Sequence, residues 1–151
     1  MAYQVSDNGV LFLEKWEGFR PKPYQNPGDV PTIGIGTTFY PGGKHVTLAD
    51  PAITHDQALA YAKSFMNNVT IPTITKYVKV PLNQNQVDSL GSFIYNVGAG
   101  NFAASHLLFQ INSNGGQAAI TAEFNKWIYV NHHPNDWQIK RRAAEVVLYY
   151  S

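Results

Sequence analysis

The sequence predicts an α+β fold: an N-terminal helix and a small antiparallel β lobe (about residues 19–53) beside a mainly helical C-terminal lobe (about 54–151). Three observations predict it. Apolar residues recur at helical spacing up to residue 17; Pro, Gly, Thr and Tyr replace that pattern between Pro21 and Pro51; helical spacing with capping signals then returns and persists to the end. With 151 residues the chain reads as one domain, large enough to bury a core without a disulfide or metal staple. A cleft between two such lobes is a natural ligand site.

The first helix is predicted over Asp7–Glu17, with Asp7 as N-cap and Gly18 as its stop. Leu13, Val10, Trp16 and Phe12 share one apolar arc, and Glu17 falls inside it. Thr32-Ile33-Gly34-Ile35-Gly36-Thr37 alternates as a strand does, and Tyr40-Pro41-Gly42-Gly43-Lys44 reads as a hairpin turn into His45-Val46-Thr47. Thr54 with Gln57 forms a capping box opening a helix to about Val69, and Asn83 with Gln86 repeats it. Gly98-Ala99-Gly100 breaks the chain before a helix around Phe102–Asn112, and another runs near Gln117–Trp127. Asn135 with Gln138 caps the last helix, which carries Ile139, Ala143, Val146 and Val147 on one side.

Composition excludes several functions. Eleven Lys plus Arg against ten Asp plus Glu leave a net charge of +1, no electrostatic footprint for nucleic acid or anionic membrane. Zero Cys removes thiolate zinc sites, disulfides and cysteine nucleophiles. His132-His133, with His45, His55 and His106 scattered elsewhere, offers no spacing that gathers three metal ligands, so no metal is expected and a solvated loop is the better account. Gly34-x-Gly36 and Gly98-x-Gly100 lack the strand–helix context of phosphate loops. Met1–Ser6 has no basic n-region, and the apolar runs Val10–Leu13 and Val146–Tyr150 are far too short to span a bilayer. Synthesis in the cytosol, without membrane insertion, is therefore expected.

Glu17 carries the chemical interest. A carboxyl buried among Leu13, Val10 and Trp16 is favoured in its protonated form. Such a group can deliver a proton to a leaving oxygen, the general-acid half of glycosidic cleavage. Position alone favours the other reading, a structural carboxylate paired with Arg20, Arg141 or Arg142.

The surrounding string narrows this choice. Glu17-Gly18-Phe19-Arg20, Tyr24 and Pro31-Thr32-Ile33-Gly34-Ile35-Gly36 closely resemble the phage-type lysozymes, or endolysins, of glycoside hydrolase family 24. Val80–Gln86 and Ser92–Gly100 resemble that family's central helix and turn, and Phe124, Trp127, Arg141, Arg142 and Glu145 resemble its C-terminal signature. The resemblance implies a lysozyme-like fold and a Glu–Asp–Thr catalytic set. Glu17 and Thr32 occupy the first and third places, and Asn26 stands where the Asp should be. It also implies that Thr32 helps place the attacking water for inversion, and that Tyr95 and Asn96 contact N-acetyl sugars. Trp127 reads either as part of the same wall or as a core aromatic. Arg141 and Arg142 either approach Glu17 or solvate the last helix, and both stay outside the predicted catalytic set. The family's usual His after the Thr-Ile-Gly-x-Gly string is replaced by Thr37.

Asn26 departs from the pattern chemically, because an amide cannot ionise to act as general base, although its carbonyl oxygen can orient a water. Natural divergence, deliberate replacement of the carboxylate, and a binder without activity all account for it. Asp29, three residues on, could also supply the missing carboxylate. The function implied is a monomeric endolysin muramidase, without cofactor, that hydrolyses the β-1,4 bond between N-acetylmuramic acid and N-acetylglucosamine in peptidoglycan glycan strands. It would wait in the host cytoplasm and reach the periplasm and cell wall once a holin opens the inner membrane. Two alternatives stand beside it: cleavage of the lytic transglycosylase type, and a peptidoglycan-binding form impaired at Asn26.

Overall fold

In the computed structural model, which describes residues 2–151, the element order is α1 (Asp7–Glu17), β1 (Arg20–Tyr24), β2 (Thr32–Gly34), α2 (His55–Phe65), α3 (Ile71–Tyr77), α4 (Gln84–Val97), α5 (Ala99–Ala103), α6 (His106–Asn112), α7 (Gln117–Phe124), β3 (Tyr129–Val130), β4 (His133–Pro134) and α8 (Asp136–Tyr149). Met1, the first residue of the stretch read for an export signal, lies outside the described residues. The mixed α+β architecture is as predicted, with the small antiparallel sheet β1–β2 in the β lobe, and a second, unpredicted two-stranded sheet, β3–β4, lies among the C-terminal helices.

Helix α1 is capped one residue earlier than predicted. Ser6, not Asp7, accepts from the Gly9 N–H, because Ser6 is fixed by Asp88 of α4, which receives both its backbone N–H and its hydroxyl. Asp7 instead points to solvent and pairs with Lys63 at 2.8 Å. Gly18, at φ 74°, ends the helix, so Glu17 is its last residue.

The expected strand Thr32–Thr37 is a strand followed by a tight reversal. Only Thr32–Gly34 pairs with β1; Gly34 and Gly36 then turn the chain, and Ile33 and Thr37 exchange backbone hydrogen bonds at 2.9 Å. The hairpin at Tyr40–Lys44 forms as read, closed by Tyr40 N–H to Lys44 C=O at 2.8 Å.

Both capping boxes are present, at Thr54/Gln57 and Asn83/Gln86. The helix expected to run to about Val69 stays α-helical only to Phe65. It widens into a π-helical turn at Met66–Thr70, where the Ile71 N–H reaches back to Met66 C=O, and continues as α3. Pro72, with no N–H to extend the ordinary ladder, sits just beyond that turn. The helix expected around Phe102–Asn112 is two helices, since Ser105 caps α6 through the Leu108 N–H. Helix α7 stops at Phe124, short of Trp127. His132 and His133 are exposed, as expected of a solvated loop, but belong to a short hairpin whose turn holds Asn131 and His132 at positive φ.

The core gathers around α4, buried continuously from Val87 to Ile94 and packed on α8, α1 and α3. Here α8 differs from the predicted pattern. Of the four residues on the predicted side, Val146 is half-buried against the core, but Ile139 and Val147 are 41% and 70% exposed and Ala143 is also exposed, whereas Arg141, Arg142, Glu145 and Tyr149 are buried. The helix turns its charged face inward, because each buried charge there has a partner of opposite sign.

Candidate active site

Three elements meet at Glu17. Its Oε2 accepts from Arg141 Nη1 at 2.6 Å, and Arg141 is 2% exposed. The same guanidinium donates through Nη2 to the Ser92 carbonyl at 3.0 Å and lies 3.4 Å through Nε from Glu145 Oε2. Glu145, fully buried, receives the Ser92 hydroxyl at 2.6 Å and sits 3.2 Å from Arg142 Nε. Arg142 then donates to Asn96 Oδ1 and packs its guanidinium 4.8 Å from the Phe93 ring centroid. The result is an alternating row, Glu17–Arg141–Glu145–Arg142, that ends on the Asn96 amide.

Burial acts on this row in opposite senses for the two charge types. It pushes Arg142 down to about 10, which leaves it cationic at neutral pH, and it pushes Glu145 up against the pull of both arginines and of Ser92. The row is held together by mutual neutralisation.

The apolar surroundings expected for Glu17 are therefore only half the account. Trp16 and Leu13 are buried beside it in α1, but the half-buried carboxylate is ion-paired, and its partner is Arg141 alone of the three arginines considered. Arg20 lies over the Tyr24 ring at 4.0 Å instead. The alternative that Arg141 and Arg142 merely solvate the last helix is excluded by their burial. What sequence reasoning missed is the function of the i, i+3 and i, i+4 spacing of Arg142, Arg141 and Glu145, which places all three on one helical face.

The second oxygen of Glu17 lies over the glycine turn. A Cβ on Gly36 would come within 2.9 Å of Glu17 Oε1 and 3.3 Å of the Tyr95 ring and hydroxyl, at φ +69°. Gly36→Ala is thus expected to strain the turn by about 1–2 kcal/mol and to displace the carboxylate. Thermal melting should show a fall of roughly 2–8 °C at about 2–4 °C per kcal/mol; an unchanged melting temperature would remove this close approach.

Tyr95 is half-buried. Its hydroxyl donates to the Ile35 carbonyl at 2.8 Å and its ring meets the Phe65 edge at 5.4 Å. Asn96, beside it, lines an open groove of about 410 Å³ with Asn101, Lys126, Trp127, Tyr129 and Gln138. Trp127 serves both of its readings, lining that groove while packing edge-on against Phe93 at 5.8 Å.

Thr32 and Asn26 lie at the same end of the β1–β2 ribbon. Thr32 pairs with Tyr24, and its hydroxyl donates to the Val30 carbonyl at 2.9 Å. Asn26 is exposed at the first corner of a turn through Pro27 and Gly28 (φ 83°), closed by the Asp29 N–H on the Asn26 carbonyl at 3.0 Å. Asp29 is also exposed. Tyr24 connects this end to Glu17: burial raises its hydroxyl above the usual range, Arg20 lowers it, and the charges of Glu17 and Asp29 both raise it further.

The lysozyme-like fold that the resemblance implies thus carries a helix-end carboxylate clamped by a buried arginine beside a glycine turn. Comparison with known proteins agrees. Residues 14–145 match the family model described as phage lysozyme. The endolysin of Salmonella phage P22 is 38% identical over 148 residues, which cover 98% of this chain and 99% of that one. The endolysin of Bacillus phage PZA is 33% identical over 150 residues, 98% of this chain and 55% of that one. A crystal structure of a P22 lysozyme mutant superposes with a TM-score of 0.86 at 35% identity, covering 99% of both chains. The muramidase domain of SpmX from Asticaccaulis excentricus gives 0.85 at 26% identity, again over 99% of both. This chain belongs to the phage lysozyme family.

Proposed function

We propose that this chain is a peptidoglycan-lysing endolysin: a muramidase hydrolysing the β-1,4 bond between N-acetylmuramic acid and N-acetylglucosamine. The observation that carries the reading is Glu17, held through Oε2 by Arg141 with Oε1 left over the Gly36 turn. In its protonated form Glu17 gives its proton to the glycosidic oxygen as the bond to the anomeric carbon breaks, water adds to that carbon from the opposite face, and the proton lost by the water passes to solvent or to Asp29. Thr32 and the Asn26 carbonyl place the water; Tyr95 and Asn96 border the sugar. No cofactor is needed for this chemistry. The chain works as a single lysozyme-like domain and a monomer, made in the host cytoplasm and reaching the wall when a holin opens the inner membrane. Among the described residues no helix is long and apolar enough to cross a membrane.

Asn26 cannot take the water's proton. Asp29, exposed at the far end of the Asn26 turn, offers a second account of that step, as the carboxylate nearest in sequence to Asn26. The test is mass spectrometry of muropeptides released from purified peptidoglycan. Reducing-end N-acetylmuramic acid is expected. Anhydro ends would make the chain a transglycosylase, and no release from a folded protein that binds the polymer would make it a binder. In the same assay Asn26→Asp is expected to raise kcat about 10²-fold or more, within the usual range of a general base. Undiminished release by Asp29→Asn would remove Asp29 from the mechanism.

A further inference from the structure

Tyr95 does more than border a sugar. Its hydroxyl donates to the carbonyl of Ile35, the residue between the two glycines of the β turn, and its ring rests on Phe65. Glu17 Oε1 and the Tyr95 hydroxyl both lie within 3.3 Å of one point above Gly36, the position its missing Cβ would fill. On the same turn the Thr37 hydroxyl is buried, with Thr37 4% exposed, and makes no hydrogen bond of ordinary geometry. It nevertheless lies close enough to the Tyr95 oxygen to act on its titration.

We infer that Tyr95, assisted by Thr37, is a positioning residue for the acid: it ties the Ile33–Thr37 turn to α4 and so fixes the glycine surface on which Glu17 Oε1 rests. The inference depends on the reading of Glu17 as the proton donor. Arg141 and the turn then divide the work. Arg141 holds one carboxylate oxygen by a charged hydrogen bond, and the Tyr95-anchored turn sets the plane in which the other faces the substrate. The Tyr95 hydroxyl is suited to this task. Burial, then the charge of Glu17, raises it far above the usual range against the lowering effects of Arg141 and Thr37, with Tyr24 adding to the rise. It is therefore a neutral donor around neutral pH, with the Thr37 hydroxyl buried on the same turn.

A sugar-stacking residue and a positioning residue differ kinetically. Removing a stacking face raises KM, whereas displacing the acid lowers kcat. Tyr95→Phe keeps the ring and deletes only the hydroxyl. Rates over a range of peptidoglycan concentrations, with pH profiles, are to be measured for Tyr95→Phe, Thr37→Val and Glu17→Gln, and folding checked by circular dichroism and melting. The expected result for Tyr95→Phe is a kcat about 10- to 100-fold lower, the cost of roughly an ångström of misplacement, with KM within about twofold and a displaced pH–rate limb. Thr37→Val is expected to move in the same direction by less. A raised KM with unchanged kcat would overturn the proposal in favour of substrate contact alone. Wild-type kcat and pH profile in Tyr95→Phe, beside an inactive Glu17→Gln, would overturn it while leaving the acid in place. Full activity in Glu17→Gln would overturn the acid assignment and this proposal together.

Discussion

Glu17→Gln is expected to lower kcat for muropeptide release by about 10²–10⁴-fold, the usual range for a general acid, while leaving a folded protein. The amide keeps the volume of the carboxyl but has no proton to give the departing sugar oxygen. Its effect on stability is limited because Arg141 keeps three other partners: the Ser92 carbonyl and hydroxyl and the Glu145 carboxylate. One charged hydrogen bond is weakened and not deleted, since the Gln oxygen still accepts, so the cost should stay near or below about 1.5 kcal/mol. Measured together, rate and melting temperature separate catalysis from folding. Release above about a tenth of the wild-type rate would disqualify Glu17, because a general acid is worth more than that.

The second large effect falls on stability. Glu145 lies fully buried between Arg141 and Arg142, so Glu145→Leu leaves two buried cations facing an apolar group. Breaking such a pair from one side costs about 3–5 kcal/mol, or roughly 6–20 °C in melting temperature for a chain of this size. Part of that loss should return in Glu145→Leu with Arg142→Met, since removing both charges removes the uncompensated cation. Arg142 also donates to Asn96, so the double variant should recover stability more fully than turnover. A melting temperature within about 2 °C of wild type in Glu145→Leu would show that water reaches the row and that its burial has no energetic consequence.

The same row explains why α8 buries a face that its apolar periodicity does not mark. Apolar periodicity assigns the side carrying Ile139, Ala143 and Val147 to the interior, as it does for most amphipathic helices. Two arginines and a glutamate compete successfully for that place because Ser92 and Glu17 complete their pairing from α4 and α1. Neither partner is near them in sequence. Short-range signals fared better: the Thr54/Gln57 and Asn83/Gln86 boxes, the Gly18 stop and the Tyr40–Lys44 hairpin all formed where they were read. At Ser6 and Asp7 two capping residues stood side by side, and only Asp88, eighty-two residues away from Ser6, decided between them.

By itself, then, the sequence determined what depends on neighbours along the chain: the α+β order, the caps and turns, the family, and Glu17 as the carboxylate to watch. The tertiary structure alone decided which arginine holds Glu17, that Gly36 lies under its free oxygen, and that Tyr95 anchors that turn. Those choices rest on contacts between residues 19 to 124 positions apart in the chain. They follow from burial, which makes every charge brought inside require a partner at hydrogen-bond distance.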